Sequence, residues 1–545
     1  LNKGLKIFVA VIWEFVFLGT LFLMLGKAGV WQIAAAKPFS FENGGYLMIG
    51  LLIAGLLFWI NRRWGENIEA FLAKYGRPLF YVTLAAVLAF NLYAAYGGYF
   101  RTGWDAGLIR NTAFLELHGR YKLLPHGYFS WFPNNQLIVW LFTGVLRIAN
   151  AFGISNWEYA LVVFQAVLGV LALWLVYAIT LDLTKRHKIA WTAYLAALLL
   201  SGLSPWIIVA YSDATGIIFP LVTFRCYQMG ARTKKPWAKI LWWAVLGLAA
   251  FAGYRIKPQT VIALIAVVLV ELCSLFYHGN LKKVKDVGLR LGMIVAGFAL
   301  GMLLYAQVIV PSLHFKTDPD RTISMSHYLM MGLNDQTHGD GVYSAEDYQY
   351  TWHFKTNKAR NKADLEMAKK RLEAYGPDGL LWHLCRKQLI NYNDGTFGWN
   401  NEGQFFTGDP KWAHNGISDW VRSVIKPQGA NYKNFLSFKQ TVWITLIFAS
   451  LFTAGALLRS ESEEADKEMM ILIAAILGLT IFELLFEARA RYLYCYAPVY
   501  AILGVLGLRQ LFWRLSVGFN DTERKQQNDS IQSGTGPVDR DSLLQ

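Results

Sequence analysis

The stretch Tyr93-Ala94-Ala95-Tyr96-Gly97-Gly98-Tyr99-Phe100-Arg101-Thr102-Gly103-Trp104-Asp105 leaves an apolar run and enters a loop rich in aromatic residues. The loop continues through Asn111, His118, Tyr121, His126 and Tyr128 to Trp131-Phe132-Pro133-Asn134-Asn135. A carboxylate held among aromatics at a membrane surface can take a proton from a substrate that lives at that surface. In a chain with many apolar runs, this points to an enzyme acting on a lipid-linked substrate rather than to a pore.

Composition sets the frame. The 545 residues are 55% hydrophobic and only 16% charged, whereas soluble domains carry about 25% charged residues. Mean hydropathy is +0.31. A span needs about 20 mostly apolar residues, and the chain offers many such runs. Its 21 Trp and 27 Tyr suit bilayer interfaces. The net charge of +15 is not read as a nucleic-acid signal, because Lys and Arg collect in short loops between apolar runs. Cys226, Cys273, Cys385 and Cys495 show no CxxC or Cys/His metal spacing, and no disulfide framework is expected.

The apolar pattern predicts an all-α fold, a polytopic membrane helical bundle of about twelve spans. They fall near residues 5–26, 46–60, 78–97, 158–181, 189–210, 214–229, 237–254, 258–277, 289–310, 438–458, 469–486 and 493–510. The first is read as a retained span, although Ala34-Ala35-Ala36 resembles a cleavage site. With the N-terminus in the cytoplasm, four successive inside loops are basic: Arg62 to Arg77, Lys185 to Lys188, Arg232 to Lys239, and Lys282 to Arg290. The apolar stretch Gln136–Ile148 would invert this order if it crossed. It is therefore read as a short helix at the outer surface.

These boundaries divide the chain into two extra N-terminal spans (1–77), a first membrane core (78–310) with an outer loop at 98–157, an extracytoplasmic mixed insertion (311–437), last core spans (438–518) and a disordered cytoplasmic tail (519–545). Both termini are expected in the cytoplasm of a multi-pass plasma-membrane protein. Four polar segments fall outside: the Asp105 loop, Tyr211–Gly216, Gly253–Gln259 and Glu487–Tyr492. The insertion, with an amphipathic helix predicted over residues 362–375, falls on the same side and is expected to serve the acceptor.

Asp105 reads either as a general base or as a helix cap. Arg255 and Lys257 run against the loop bias, so they read as contacts to an anionic headgroup or as snorkelling side chains. Arg489 and Arg491 lie beside Glu483 and Glu487. An i,i+4 pair between Glu487 and Arg491 would leave the other arginine for a phosphate. Asp213 reads as a cap for the next span, or as a second acid or sugar contact. Tyr99, Trp104, His126 and His338 are candidate acceptor or sugar contacts. No His spacing calls for zinc, and no metal or other cofactor is indicated.

Taken together, Gly103-Trp104-Asp105 in the first outer loop, Ser204-Pro205-Trp206 with Tyr211-Ser212-Asp213, and Arg489-Ala490-Arg491-Tyr492 before a last span resemble the GT-C superfamily of membrane glycosyltransferases. The similarity is to its family 39-like group, which includes protein mannosyltransferases and aminoarabinose transferases, and it covers roughly residues 78–510. The resemblance implies a polyprenyl-phosphate sugar donor, a cell-surface acceptor (polymer, glycolipid or protein) and inverting transfer on the outer face. It implies Asp105 as base and Arg255, Lys257, Arg489 and Arg491 as donor-phosphate contacts. The sequence departs from the group where Ala106 follows Asp105 in place of a second acid. A donor dissolved in the membrane also accounts for the missing nucleotide-binding glycine fingerprint. The competing readings are a flippase or transporter of lipid-linked sugars, which calls for charges midway along spans, and a cell-surface polysaccharide polymerase or ligase.

Overall fold

A computed structural model describes residues 3–26, 42–100, 102–276, 281–336, 339–399 and 415–532. The chain is a bundle of helices. In order they are α1 (Lys3–Leu25), α2 (Asn43–Gly98), α3 (Trp104–Leu117), α4 (His126–Trp131), α5 (Gln136–Ala151), α6 (Trp157–Thr184), α7 (His187–Ala197), the short α8 (Ser212–Gly216), α9 (Ile218–Arg232), α10 (Pro236–Ile256), α11 (Ile262–Phe276) and α12 (Leu281–Leu304). The insertion follows with α13 (Met325–Gly332), a two-stranded antiparallel ribbon (Asp335–Gln336 with Gly339–Asp340), α14 (Ala345–His353), α15 (Asn357–Tyr392) and α16 (Gly416–Ile425). The chain then continues through α17 (Tyr432–Ser450), α18 (Thr453–Arg459), α19 (Glu463–Leu485) and α20 (Ala497–Gln532).

Among the described residues, nine helical segments are long and apolar enough to cross a membrane. Their outer faces invert the soluble pattern. α1 buries Trp13 and Phe17 but exposes Phe15 and Phe22, and α2 exposes Leu52 and Val82. Large apolar faces turned out of a bundle suit lipid rather than water.

Two expected spans and the loop between them form one helical run, α2. A straight α2 would set Asn43 and Asn91 about 72 Å apart. Instead, Asn43 accepts from Gln440, Lys439 donates to the carbonyls of Leu199 and Leu200, and Asn91 donates to the carbonyl of Gly202. Both ends of α2 therefore meet one level of the bundle, and the helix folds back on itself. The turn is pinned at the far end. There Glu66 pairs with Arg186 and Lys188, and Glu69 accepts the backbone N–H groups of His187 and Lys188.

Two other expected spans, 189–210 and 214–229, are broken. Pro205 has no N–H to continue a helix, and α7 ends in a π-turn at Leu198–Gly202 and a 3-10 turn at Pro205–Ile208. The predicted surface stretch at 136 is helical, as α5. It buries Ile138, Val139 and Phe142 against the bundle. The predicted amphipathic helix at 362–375 is the first half of α15, which breaks at Gly376 (φ +60°) before Pro377. The expected disordered tail is helical through Gln532, in keeping with its Glu, Arg, Lys and Gln content. Ala34 to Ala36 and residues 533–545 lie outside the described residues.

Basic and acidic side chains gather at the end opposite the Asp105 loop. Lys6 bonds the carbonyl of Ser460 and pairs with Asp466, and Arg232 bridges Asp182, Glu464 and Glu468. The Asp105 loop, Tyr211–Gly216, Lys257 and the turn after α19 share the other end, capped by the insertion.

One buried histidine is expected to make the insertion acid-sensitive. The Thr351 hydroxyl donates to Asp364 (2.8 Å), so it accepts from the Nδ1–H of His327 (2.7 Å), which sets the tautomer of the neutral ring. Burial pushes His327 down to about 4 from an ordinary 6.5. The unfolded chain therefore binds the extra proton between pH 6.5 and 4, and stability is lost as pH falls through that window, by about 3 kcal/mol in full. Thermal denaturation of His327→Gln across pH 4–7 is expected to show a flatter pH dependence than the wild type. Parallel curves for the two proteins would assign the acid sensitivity elsewhere.

Candidate active site

The site is built on a tight return of the chain into α3. Gly107 must be glycine, because a Cβ there would lie 2.2 Å from the Thr102 carbonyl. Trp104 opens the helix in a left-handed backbone conformation (φ +43°), which costs of order 1–3 kcal/mol for a non-glycine residue. The strain is held by packing, with the Trp104 ring 5.4 Å from that of Tyr211 and 4.8 Å from the Arg491 guanidinium.

The N-cap of α3 is Gly103, so the capping alternative for Asp105 does not hold. Asp105 lies in the first turn of the helix, where a carboxylate is favoured by the helix dipole. Its side chain accepts from the Tyr211 hydroxyl at 3.4 Å, and the Tyr128 hydroxyl stands within electrostatic reach of it. Asn135 donates to Tyr128 from behind (2.7 Å). Burial, reinforced by the negative charge of Asp105, pushes both tyrosines well above their ordinary range, so they remain protonated donors.

Asp213 is also not a cap; Tyr211 holds that position in α8. Asp213 is buried and lies 2.6 Å from the Lys257 ammonium and 3.4 Å from the Arg491 guanidinium. Its charge is thus balanced by two cations instead of being presented as a second acid. Arg491 is boxed by rings, with Trp206 at 5.7 Å and Tyr211 and Tyr492 at 5.8 Å in addition to Trp104. Lys257 lies over the Tyr492 ring at 4.4 Å. A guanidinium surrounded by aromatic rings is held by cation–π attraction.

The four expected phosphate contacts separate. Lys257 and Arg491 converge on Asp213. Arg489 lies nearby and pairs with Glu487 at 3.8 Å. The i,i+4 pair of Glu487 with Arg491 does not form, because residues 490–496 wind as a 3-10 helix; Glu487 instead accepts from the Tyr492 hydroxyl. Arg255 turns away. It stacks on Tyr305 (4.1 Å) and donates to the Tyr305 hydroxyl and the Pro133 carbonyl. It therefore braces the start of α5. Two residues past Arg255 the chain has left helical geometry at Lys257, which sends the two side chains different ways.

The weaker contacts fare unevenly. Trp104 belongs to the Arg491 cage. Tyr99 is buried, accepts from Asn156 and packs on Tyr159, so it supports the loop from behind. The His126 ring accepts the Lys316 backbone N–H and joins α4 to the insertion. His338 lies outside the described residues. Its neighbour Asp340 is engaged by Arg386 and His383. Among the described residues, no group of three or more His, Cys, Asp or Glu is placed to hold a metal ion. Apart from Trp104, the aromatic residues around these charges, Tyr128, Trp206, Tyr211 and Tyr492, do not stand out in the sequence as contacts. A hydroxyl 23 positions from Asp105 has no local signal in the sequence.

A model described as "conserved hypothetical integral membrane protein" matches residues 4–512. The chain belongs to that family. No curated protein matches it. Among solved structures it is similar to the archaeal oligosaccharyltransferase AglB of Archaeoglobus fulgidus in complex with an inhibitory peptide and a dolichol-phosphate. The identity is 12% and the TM-score 0.42, over 83% of this chain and 52% of that one. The Archaeoglobus fulgidus enzyme tethered to an acceptor peptide gives 14% identity and a TM-score of 0.40, over 82% and 51%. The chain thus spans about half the length of these structures.

Asp213→Asn is expected to destabilise the protein by about 3 kcal/mol, because two buried cations lose their counter-charge. Adding Lys257→Met to that variant should recover part of the loss. Denaturation of the two variants in one detergent measures both effects. An additive double mutant would mean that Lys257 and Asp213 are not coupled.

Proposed function

We propose that this protein is a membrane glycosyltransferase that moves a sugar from a polyprenyl-phosphate donor to a cell-surface acceptor on the outer face. The observation that carries the reading is that Asp105 and Arg491 share one partner. The Tyr211 hydroxyl donates to the first and its ring centroid lies 5.8 Å from the guanidinium of the second, so base and cation belong to one site.

In the proposed reaction the acceptor hydroxyl gives its proton to Asp105 as its oxygen bonds to the anomeric carbon. The bond from that carbon to the donor phosphate oxygen breaks, and the electron pair leaves with the phosphate. Arg491 and Lys257 neutralise the departing charge, with Arg489 beside them. Asp213 holds both cations in place before the donor arrives, so little reorganisation is needed when charge develops.

A cavity of about 450 Å³ supports a lipid-linked donor. It is lined by Pro205, Ile207, Ile208, Phe90, Trp420 and Phe435. Trp206 belongs to the same turn, and its ring lies 5.7 Å from the Arg491 guanidinium. A prenyl chain in this cavity would run beside the turn that carries Trp206.

Transfer of labelled sugar from a polyprenyl-phosphate donor in membranes tests the reading. Asp105→Asn should lower transfer by about 10²–10⁴-fold while leaving the binding of polyprenyl monophosphate unchanged. Arg491→Gln should weaken that binding. Wild-type rates in Asp105→Asn would remove Asp105 from the mechanism. Movement of a lipid-linked sugar across vesicle membranes without transfer would favour the transporter reading.

A further inference from the structure

We infer that the insertion is the frame that positions Arg491 and its ring cage, through Lys387 and the turn Asp394–Trp399, and so serves the donor-phosphate side of the site. This rests on the function proposed above and replaces the acceptor role expected of the insertion from sequence.

Two contacts from one end of α15 carry the inference. The first is Lys387, which is fully buried. Its ammonium donates to the carbonyls of Gly332 (2.7 Å), Leu484 (2.8 Å) and Phe486 (2.6 Å), which uses all three of its N–H bonds. Leu484 and Phe486 bracket the end of α19, just before the segment that carries Arg489 and Arg491. The same turn is tied again where the Ala488 N–H donates to the Gly341 carbonyl (2.7 Å). The surfaces meet without clearance, since a Cβ on Gly332 would lie 2.4 Å from the Leu485 carbonyl.

The second contact reaches the opposite wall of the cage. The Asp394 carboxylate accepts from the backbone N–H groups of Thr396 and Gly398 and from the Thr396 hydroxyl. These bonds hold a turn in which Phe397 takes a left-handed conformation (φ +55°). The carbonyls of Thr396 and Phe397 then accept from the Trp206 indole at 3.2 and 3.0 Å. Trp206 is one of the rings around Arg491. The insertion thus grips both the backbone leading to Arg491 and a ring packed on it.

Glu483, also fully buried, stands within electrostatic reach of both Lys387 and Lys257, between the insertion and the cage.

The test uses the full chain in nanodiscs, with two readouts. One is binding of a long-chain polyprenyl monophosphate, followed by tryptophan fluorescence. The other is hydrogen exchange of residues 487–496 without ligand. Lys387→Met should weaken binding at least tenfold and speed exchange. Asp394→Ala, which leaves Lys387 in place, should weaken binding and serves if Lys387→Met does not fold. Arg386→Met is the control: it breaks the ion pair with Asp340 inside the insertion, one position away, and should change neither readout. Unchanged binding and exchange in a folded Lys387→Met or Asp394→Ala would overturn the inference, as would an equal effect of Arg386→Met. If the wild type binds no polyprenyl phosphate, the proposed function fails, and hydrogen exchange alone decides whether the insertion sets the arginine segment.

Discussion

Asp213 between Lys257 and Arg491 is the interaction on which the site depends. All three are nearly excluded from solvent. Burying a carboxylate is costly, and two cations crowded together without it would repel each other. The cluster exists only because three distant segments meet: the break after α7, the end of α10 and the turn after α19. Each ends a helix at the same level, so the bundle brings to one place charges that lie 44 to 278 positions apart in sequence.

The backbone around this cluster is correspondingly irregular. Trp104 sits in a strained conformation, Pro205–Ile208 forms a 3-10 turn, and residues 490–496 wind more tightly than an α-helix. Irregular backbone within a membrane bundle is tolerated where protein covers it. Here the insertion supplies that cover. The cationic cluster and its lid therefore form one construction, with Lys387 and Asp394 at the joint. Arg255, which the sequence groups with Lys257, belongs instead to the bracing of α5 by Tyr305 and Pro133.

The tyrosines give the site its second constraint. Asp105 accepts from the Tyr211 hydroxyl at the start of α8 and has the Tyr128 hydroxyl of α4 within electrostatic reach. Both hydroxyls are held above their usual range and cannot themselves act as bases at neutral pH. In the proposed reaction the carboxylate is the group that takes the proton, with Tyr211 donating to it.

The sequence by itself determined that this is a polytopic helical membrane protein. Apolar run length and the deficit of charge are local properties, and a bilayer-sized run says the same thing in any fold. It also singled out Asp105, Asp213, Lys257 and Arg491 as candidates, because ionisable residues at the ends of apolar runs stand out against their surroundings. It could not say which charges pair. The i,i+4 rule joined Glu487 to Arg491, but the segment is not α-helical, and Arg491 turns to Asp213. The fold-back of α2, the withdrawal of Arg255 and the aromatic cage belong to the tertiary structure for the same reason. Each is a contact between segments far apart in the chain, set by packing and by the need to neutralise buried charge, and periodicity within one segment carries no record of its partner.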